Sequence, residues 1–348
     1  MLIYLILMIT ELYSNSIYML LTILLFALAF DLLIGEFPAK LHPVVWIGNI
    51  ISFFKKYFIK YDNKISGLIV SICVIAVSSL IVLVPMLLIK HFLYLNDGMI
   101  YIFKLVALLL LSSTFSVKLL LDSARDVGND LKNNNLNKAR QAVSYLVSRK
   151  TSELNKEHVI SAVIETLTEN IPDSYVSTIF YYSIGGIIAF LLGFNDFTVV
   201  ILALLAALIH RVVDTMDSML GYKTEELYNI GYVPAHLDDI LNYIPARISG
   251  FLIIISAAFL ALNWRGAYYI MQRDARKCDS PNSGYTMATV AGALNIQLEK
   301  EGVYTLGDNL HPIKVECIDK AIDIARLSIF LITIFFFFVF MDLILLQL

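Results

Sequence analysis

Apolar residues along this chain come in long blocks, not in the short alternating or one-face patterns of a soluble fold. Positions 17–34 are nearly unbroken, 65–89 form a second block, and 99–121 a third marked by Lys104. Blocks at 176–192 and 197–209 flank the short loop GFND, a layout that predicts a helical hairpin. Positions 248–262 are apolar but short, and a Phe-rich block follows at 327–346. An α-helix rises about 1.5 Å per residue, so roughly 20 apolar residues cover a ~30 Å hydrocarbon layer. The pattern predicts an all-α polytopic integral membrane protein of about five to seven apolar helices, with 1–348 as a single membrane-embedded domain. Pro85 lies near the end of the second block, where a membrane helix tolerates it. The apolar start at 2–9 has no basic residues ahead of it and no small-residue cleavage site, so it does not read as a signal peptide.

Composition agrees. Of 348 residues, 58% are hydrophobic and 16% charged, and the mean hydropathy is +0.74. A soluble domain is nearer about half apolar and about a quarter charged, so the count argues against a soluble α/β enzyme and rules out disorder. With 29 acidic and 26 basic residues the net charge is −3, which leaves no nucleic-acid footprint. Cys73, Cys278 and Cys317 are too few and too scattered for a disulfide framework or a zinc site.

Polar segments at 31–64, 118–175, 210–247 and 263–326 separate the blocks. Positions 35–64 carry five basic residues against two acidic, and 118–175 carry eight basic residues. Lys and Arg gather in cytoplasmic loops, which places 35–64, 118–175 and 210–247 on the cytoplasmic side of the cell membrane. Positions 263–326 also hold eight basic residues, so 248–262 is read as re-entrant or interfacial and not as a crossing.

Four clusters in these segments are rich in chemistry-bearing residues. The first, DLLIGEFPAKLHPVVWIGN from Asp31 to Asn49, sets a His42-Pro43 pair beside a carboxylate at a helix exit. It reads equally well as a plain helix exit with Trp46 as an interface anchor. The second spans Ser148 to Ser177. Thr151 or Ser152 is the expected helix cap, and Glu165 and Glu169 stack one turn apart on one face. Like charges at that spacing repel, so a cation or an arginine is expected between them. Pro172 is expected to break the helix and turn Asp173 back toward the same face, next to Asn170. Oxygen ligands gathered this way suit magnesium, while the plainer reading is a solvated acidic helix face.

The third cluster, His210 to Arg247, holds six acidic and three basic residues. Asp214 and Asp217 share a face directly after an apolar block, and Asp238, Asp239, Asn242 and Arg247 follow. Ionisable groups at membrane depth are costly and mark function by default, here a divalent-metal and phosphate site. In the fourth, Ser280, Pro281, Asn282 and Gly284 make a turn into a small-residue helix, a weak phosphate signal through free backbone N–H groups. His91, His158 and His311 read as surface or interfacial residues, not ligands.

Taken in order, DLLIGEFPAKLHPVVWIGN, LVSRKTSEL, AVIETLTENIPDS, DTMDSMLGYK, LDDILNYIPARISG and SPNSGYTMATVAGAL resemble the membrane-bound cobalamin biosynthesis family CobD/CbiB, adenosylcobinamide-phosphate synthase. The resemblance runs from about residue 31 to 300. It departs from the family pattern at Lys150, where an acidic residue is expected, at Glu36-Phe37, where Asp-Pro is expected, and in the DTMD stretch. Lys150 and Glu36 are therefore left out of the expected site.

The resemblance implies an ATP-dependent, amide-forming ligase with ATP and magnesium as cofactors. It would join the free carboxylate of adenosylcobyric acid to the amine of (R)-1-aminopropan-2-ol O-phosphate or a related amino-alcohol phosphate, giving adenosylcobinamide phosphate. By the same resemblance, Glu165, Glu169, Asp173, Asp217 and His42 are the expected catalytic residues, and His42 would take a proton from the attacking ammonium. Asp214, Asp217, Asp238, Asp239, Glu165 and Glu169 would hold metal. Arg149, Asn170, Arg247, Ser280, Asn282, Gly284 and Tyr222 would bind substrate or phosphate. The lipid bilayer and a corrinoid are the expected partners, with no nucleic acid, and a homo-oligomer stays open. Two other readings stay open as well: a non-catalytic membrane regulator of the same superfamily or a transporter, and an aspartate-rich membrane prenyl or alcohol-phosphate transferase, which DDILN invites.

Overall fold

The apolar blocks are helices. A computed structural model describes residues 15–93, 98–147 and 149–346; the apolar start at 2–9 and Ser148 lie outside the described residues. In chain order the helices are α1 (Ser16–Leu33), α2 (Pro43–Phe58), α3 (Lys64–Leu93), α4 (Met99–Ser112), α5 (Val117–Lys132), α6 (Leu136–Ser144), α7 (Lys156–Ile171), α8 (Ser177–Leu191), α9 (Asp196–Leu220), α10 (Tyr232–Leu241), α11 (Tyr243–Phe259), α12 (Trp264–Asp274) and α13 (Ser283–Leu294). A two-stranded antiparallel hairpin follows, β1 (Leu298–Lys300) and β2 (Tyr304–Leu306), and then α14 (Glu316–Leu345).

Among the described residues six helical stretches are long and apolar enough to cross a membrane: Ser16–Leu33, Lys64–Phe92, Met99–Lys132, Lys156–Leu191, Asp196–Leu220 and Glu316–Leu345. Helices α10 and α11 reach that length only as a pair, which would make a seventh. The chain is an all-α, multi-pass membrane protein. The marginal block at 248–262 corresponds to the 17-residue α11, too short alone for a full crossing.

Asparagine is the usual helix starter here. Asn15, Asn135, Asn155, Asn195 and Asn263 each accept a backbone N–H in the first turn, satisfying donors that a helix start leaves open. The cap of α7 is therefore Asn155, not Thr151 or Ser152. The Thr151 hydroxyl donates to the Arg140 carbonyl instead, at 2.9 Å. Pro172 does not break the helix either. It opens a π-helical turn, Pro172–Val176, through which helical structure passes into α8. A longer-range hydrogen-bond pattern accommodates the N–H that proline lacks.

The described residues fall into two compact units interleaved in sequence. The first holds residues up to Ser116, Ser177–Ile240 and those from Ile334 onward; the second holds Val117–Val176 and Leu241–Thr333. In the first, α8 and α9 form the expected hairpin around GFND, and the Tyr182 hydroxyl donates to the Leu20 carbonyl of α1 at 3.1 Å. Its core mixes aliphatic and aromatic side chains, with Ile17, Leu20, Leu24, Met86, Phe103 and Tyr182 among the fully buried ones. In the second, α13 is buried along nearly its whole length and packs against α11, α12 and α7.

Candidate functional site

In the second unit a network surrounds Glu165. The residue is 4% exposed. Oε2 accepts from Arg149 Nη2 at 2.9 Å and from the Tyr304 phenol at 3.0 Å, while Oε1 accepts from the Ser161 hydroxyl at 2.6 Å. Ser161 Oγ in turn accepts the Glu299 backbone N–H of β1 at 2.9 Å. A buried carboxylate is tolerated only when its oxygens are satisfied, and these three donors do so. Glu165 is thus placed to fix Arg149 rather than to ligate a metal. Burial, and after it the Glu165 charge, pushes the Tyr304 phenol well above its usual range, so the hydroxyl stays a donor.

Glu169, one turn on, is half-buried and forms no hydrogen bond or ion pair among the described residues. The charges of Lys300, Glu165 and Arg149 act on it. The arginine expected to relieve the stacked glutamates is therefore Arg149, spent on the first of them. The Asn170 amide donates back to the Thr166 carbonyl at 2.8 Å, and Asp173 sits half-buried in the π-helical turn.

The fourth cluster closes on Arg247. Its guanidinium lies 3.4 Å from the Tyr243 ring centroid and 4.2 Å from that of Tyr285, a sandwich that aligns the cation with both ring faces. Nη1 donates to the Tyr243 carbonyl at 2.6 Å and to Asn282 Oδ1 at 3.0 Å, and Nη2 donates to the Pro281 carbonyl at 3.3 Å. Ser280 Oγ accepts the Asn282 N–H at 3.2 Å. Gly284 permits the packing beneath: a Cβ there would stand 2.1 Å from the Ala275 carbonyl oxygen. The SPN turn therefore holds Arg247 by its inner edge.

Asp274 is fully buried and ties α12 to the segment after the hairpin. It accepts from Arg273, from Lys277 at 2.6 Å and from the Gly307 N–H at 2.8 Å. Burial pushes its carboxyl up, but these hydrogen bonds outweigh burial and bring it down to about 2. Burial pushes the nearby Cys278 thiol up to about 11.

In the first unit, Asp214 pairs with Arg211 at 2.9 Å, both side chains largely buried. Asp217 forms no hydrogen bond or ion pair through its side chain among the described residues. Its carboxylate lies over Gly221, where a Cβ would come within 2.0 Å of Oδ1, and it interacts electrostatically with Asp214 and Asp239. Asp238 and Asp239 are half-buried in α10, and Tyr222 is exposed. His42 is committed at both ring nitrogens. Nδ1 accepts the Val44 N–H at 3.2 Å as the cap of α2, and Nε2 pairs with Glu36. A general base needs a free nitrogen, so the geometry assigns His42 to holding the turn.

Among the described residues no group of three or more His, Cys, Asp or Glu side chains could hold a metal ion. The six carboxylates named from the sequence do not form a ready-made cage. Magnesium needs none: it keeps waters and takes one or two carboxylates together with substrate phosphates. Asp217, with a carboxylate that no side chain engages, fits that partial donor set.

Comparison with known proteins decides the family. The family model described as CobD/Cbib protein matches residues 24–326. The chain belongs to the CobD/CbiB family. A relative from Methanothermobacter thermautotrophicus, described as a probable cobalamin biosynthesis protein CobD, is 44% identical over 313 residues, covering 90% of this chain and 95% of its own. Relatives with the same description from Methanocaldococcus jannaschii and Thermoplasma volcanium are 40% and 33% identical, covering 82% and 88% of this chain and 87% and 92% of their own. No solved structure matches the chain. The CobD/CbiB motifs met in the sequence supply Arg149, Glu165 and Arg247, but Ser161, Tyr304, Tyr285 and Lys300 escaped it. Tyr304 and Lys300 belong to a short hairpin with no signal of its own, and nothing in their local pattern points to Glu165.

Proposed function

We propose that this CobD/CbiB protein is an ATP-dependent ligase that joins the carboxylate of adenosylcobyric acid to the amine of an amino-alcohol phosphate, acting on the cytoplasmic side of the cell membrane. The observation that carries the reading is the buried Arg149–Glu165–Tyr304 network in a chain of a cobalamin-pathway family. A carboxylate at neutral pH is a poor electrophile. Ligation therefore begins when a carboxylate oxygen attacks the γ-phosphorus of ATP, forming an acyl phosphate as ADP leaves. The amine then attacks the acyl carbon, the bond to phosphate breaks, and the ammonium proton passes to a base.

Phosphoryl transfer is mainly positioning and charge neutralisation. Arg149, oriented by Glu165, offers a donor fork for phosphate oxygens. Arg247, stacked on Tyr243 and Tyr285, has three terminal N–H groups engaged and keeps one on Nη2 and its Nε–H for a phosphate oxygen. Glu169, unlike Glu165, has its carboxylate free of hydrogen bonds, which suits it to accept the amine's proton. Asp217, together with water, would suit magnesium as a hard-cation ligand.

The test is direct. The purified chain, given adenosylcobyric acid, (R)-1-aminopropan-2-ol O-phosphate, ATP and magnesium, is expected to form a product of the amide's mass with matching release of ADP. ATP turnover that ignores the corrinoid, or no adduct from any amino-alcohol phosphate, would overturn the reading.

A further inference from the structure

Helix α2 sits between two candidate spans, α1 and α3, and touches the ends of spans at three points. Before it, the Phe37 ring stacks on Phe30 in the last turn of α1 at 5.4 Å and meets His42, the cap of α2, edge-on at 6.0 Å. At its centre, Gly48 faces Met219 in the last turn of α9, where a Cβ would stand 3.5 Å from the Met219 sulfur. After it, a 3-10 turn (Ile59–Tyr61) leads within a few residues into the first turn of α3. Helix α2 is not among the stretches long and apolar enough to cross, so α1 ends and α3 begins at the same membrane face. A 16-residue helix, about 24 Å long, seated across those ends lies along the bilayer surface.

One side of α2 is buried through Ile47 and Ile51, and the other is exposed and divided. With about 3.6 residues per turn, Trp46, Phe53 and Tyr57 fall in one narrow stripe. All three are exposed, and the Phe53 and Tyr57 rings touch, with centroids 5.0 Å apart. The Trp46 indole N–H donates to the Lys40 carbonyl at 3.0 Å, which satisfies its polar edge and leaves the apolar ring outside. Asn49, Ser52 and Lys56, also exposed, run alongside. From Phe37 to Tyr61 the chain carries Lys40, Lys55, Lys56 and Lys60 and no acidic residue. None of these four ammonium groups has an ion pair among the described residues. An exposed aromatic stripe flanked by unpaired cations matches a layer with acyl chains on one side and negative charge on the other.

We propose that α2 lies in the headgroup layer and binds anionic phospholipid, its aromatic stripe against the acyl chains and Lys55, Lys56 and Lys60 on the phosphates. A zwitterionic headgroup carries its own ammonium, which the lysines repel, so this surface favours a lipid of net negative charge. None of these residues takes part in the proposed ligation, so the surface stands whether or not that reading does.

The chain has two tryptophans, Trp46 and Trp264, so Trp264→Phe leaves Trp46 as the reporter. In nanodiscs of equal parts phosphatidylglycerol and phosphatidylcholine, bromine is placed on the acyl chains of one lipid or the other. Trp46 emission should be quenched about twofold more when phosphatidylglycerol carries the bromine, and the preference should fade in about 1 M salt. Joint Lys55→Gln, Lys56→Gln and Lys60→Gln should erase the preference while total quenching and the unfolding temperature hold. Arginine at the same three positions should keep it. Glycerol phosphate in solution should not compete, since it has no chains for the stripe to cover. Equal quenching by both lipids, no quenching at all (as on a face that another protein covers), a preference that survives the glutamines, or displacement by glycerol phosphate would each overturn the site.

Discussion

Tyr304 and Glu165, 139 positions apart, meet through a 3.0 Å hydrogen bond in which the phenol donates to Oε2. The bond ties the hairpin to the helix that carries the family's ETLTEN motif. Tyr304→Phe removes one of three donors from a buried carboxylate, which should cost about 1.5–3 kcal/mol. Thermal unfolding should show the loss, and ligation should fall with it. An unchanged unfolding temperature would mean that the contact contributes nothing.

Arg149 and Glu165 should be strongly coupled. Either partner alone leaves the other charge buried, so Arg149→Met and Glu165→Gln should each destabilise by about 3–5 kcal/mol. The double variant should be less damaged than the sum of the two. Additive losses in a double-mutant cycle would contradict a direct pair.

Asp214 and Asp217 should part company. Asp217→Asn replaces a free carboxylate by a neutral amide, a weaker ligand for a hard cation. Magnesium-dependent ligation should drop by about 10- to 100-fold while the unfolding temperature holds. Asp214→Asn strips Arg211 of its partner, so its main effect should be on stability. Full activity in Asp217→Asn at normal magnesium dependence would remove this residue from the site.

Asp274 sets an acid limit. Its folded carboxyl is held near 2, below the ~3.9 of an unfolded aspartate, so its contribution is complete above about pH 4 and lost as pH falls toward 2. Across that window the wild type should lose more stability than Asp274→Asn. Parallel pH profiles for the two proteins would refute the assignment.

Cys278 should be a sluggish thiol. With its ionisation pushed up to about 11, little thiolate exists at pH 8. Iodoacetamide should modify it far more slowly in the folded chain than after denaturation, as read by mass spectrometry of the peptide. Equal rates would show that burial does not protect it.

How far the sequence discloses this protein depends on the range of the interaction. Membrane helices are legible because each is specified by its own run of apolar residues, as 65–89 shows against Lys64–Phe92. The cap of α7 is only locally ambiguous: Asn155 lies a few positions from Thr151, and either chemistry would serve. Pro172 misleads because the π-helical turn that absorbs it depends on packing. The Glu165 network is half legible. Arg149 and Glu165 stand in motifs, while Tyr304 and Ser161 join them only through a two-stranded hairpin too short to show a period. His42 has the chemistry of a base, yet its ring is used up by Glu36 and the Val44 N–H.

The interleaving of the two units has a consequence for biosynthesis. The first unit needs residues from Ile334 onward, and the second needs residues on both sides of Ser177–Ile240. Neither can therefore close while the ribosome is still in the first half of the message. Helices released early into the bilayer must wait, without their final neighbours, until the C-terminal helix emerges. Premature stop codons anywhere before that helix should leave both units incomplete, and the unfinished chain exposed to the quality-control proteases of the membrane.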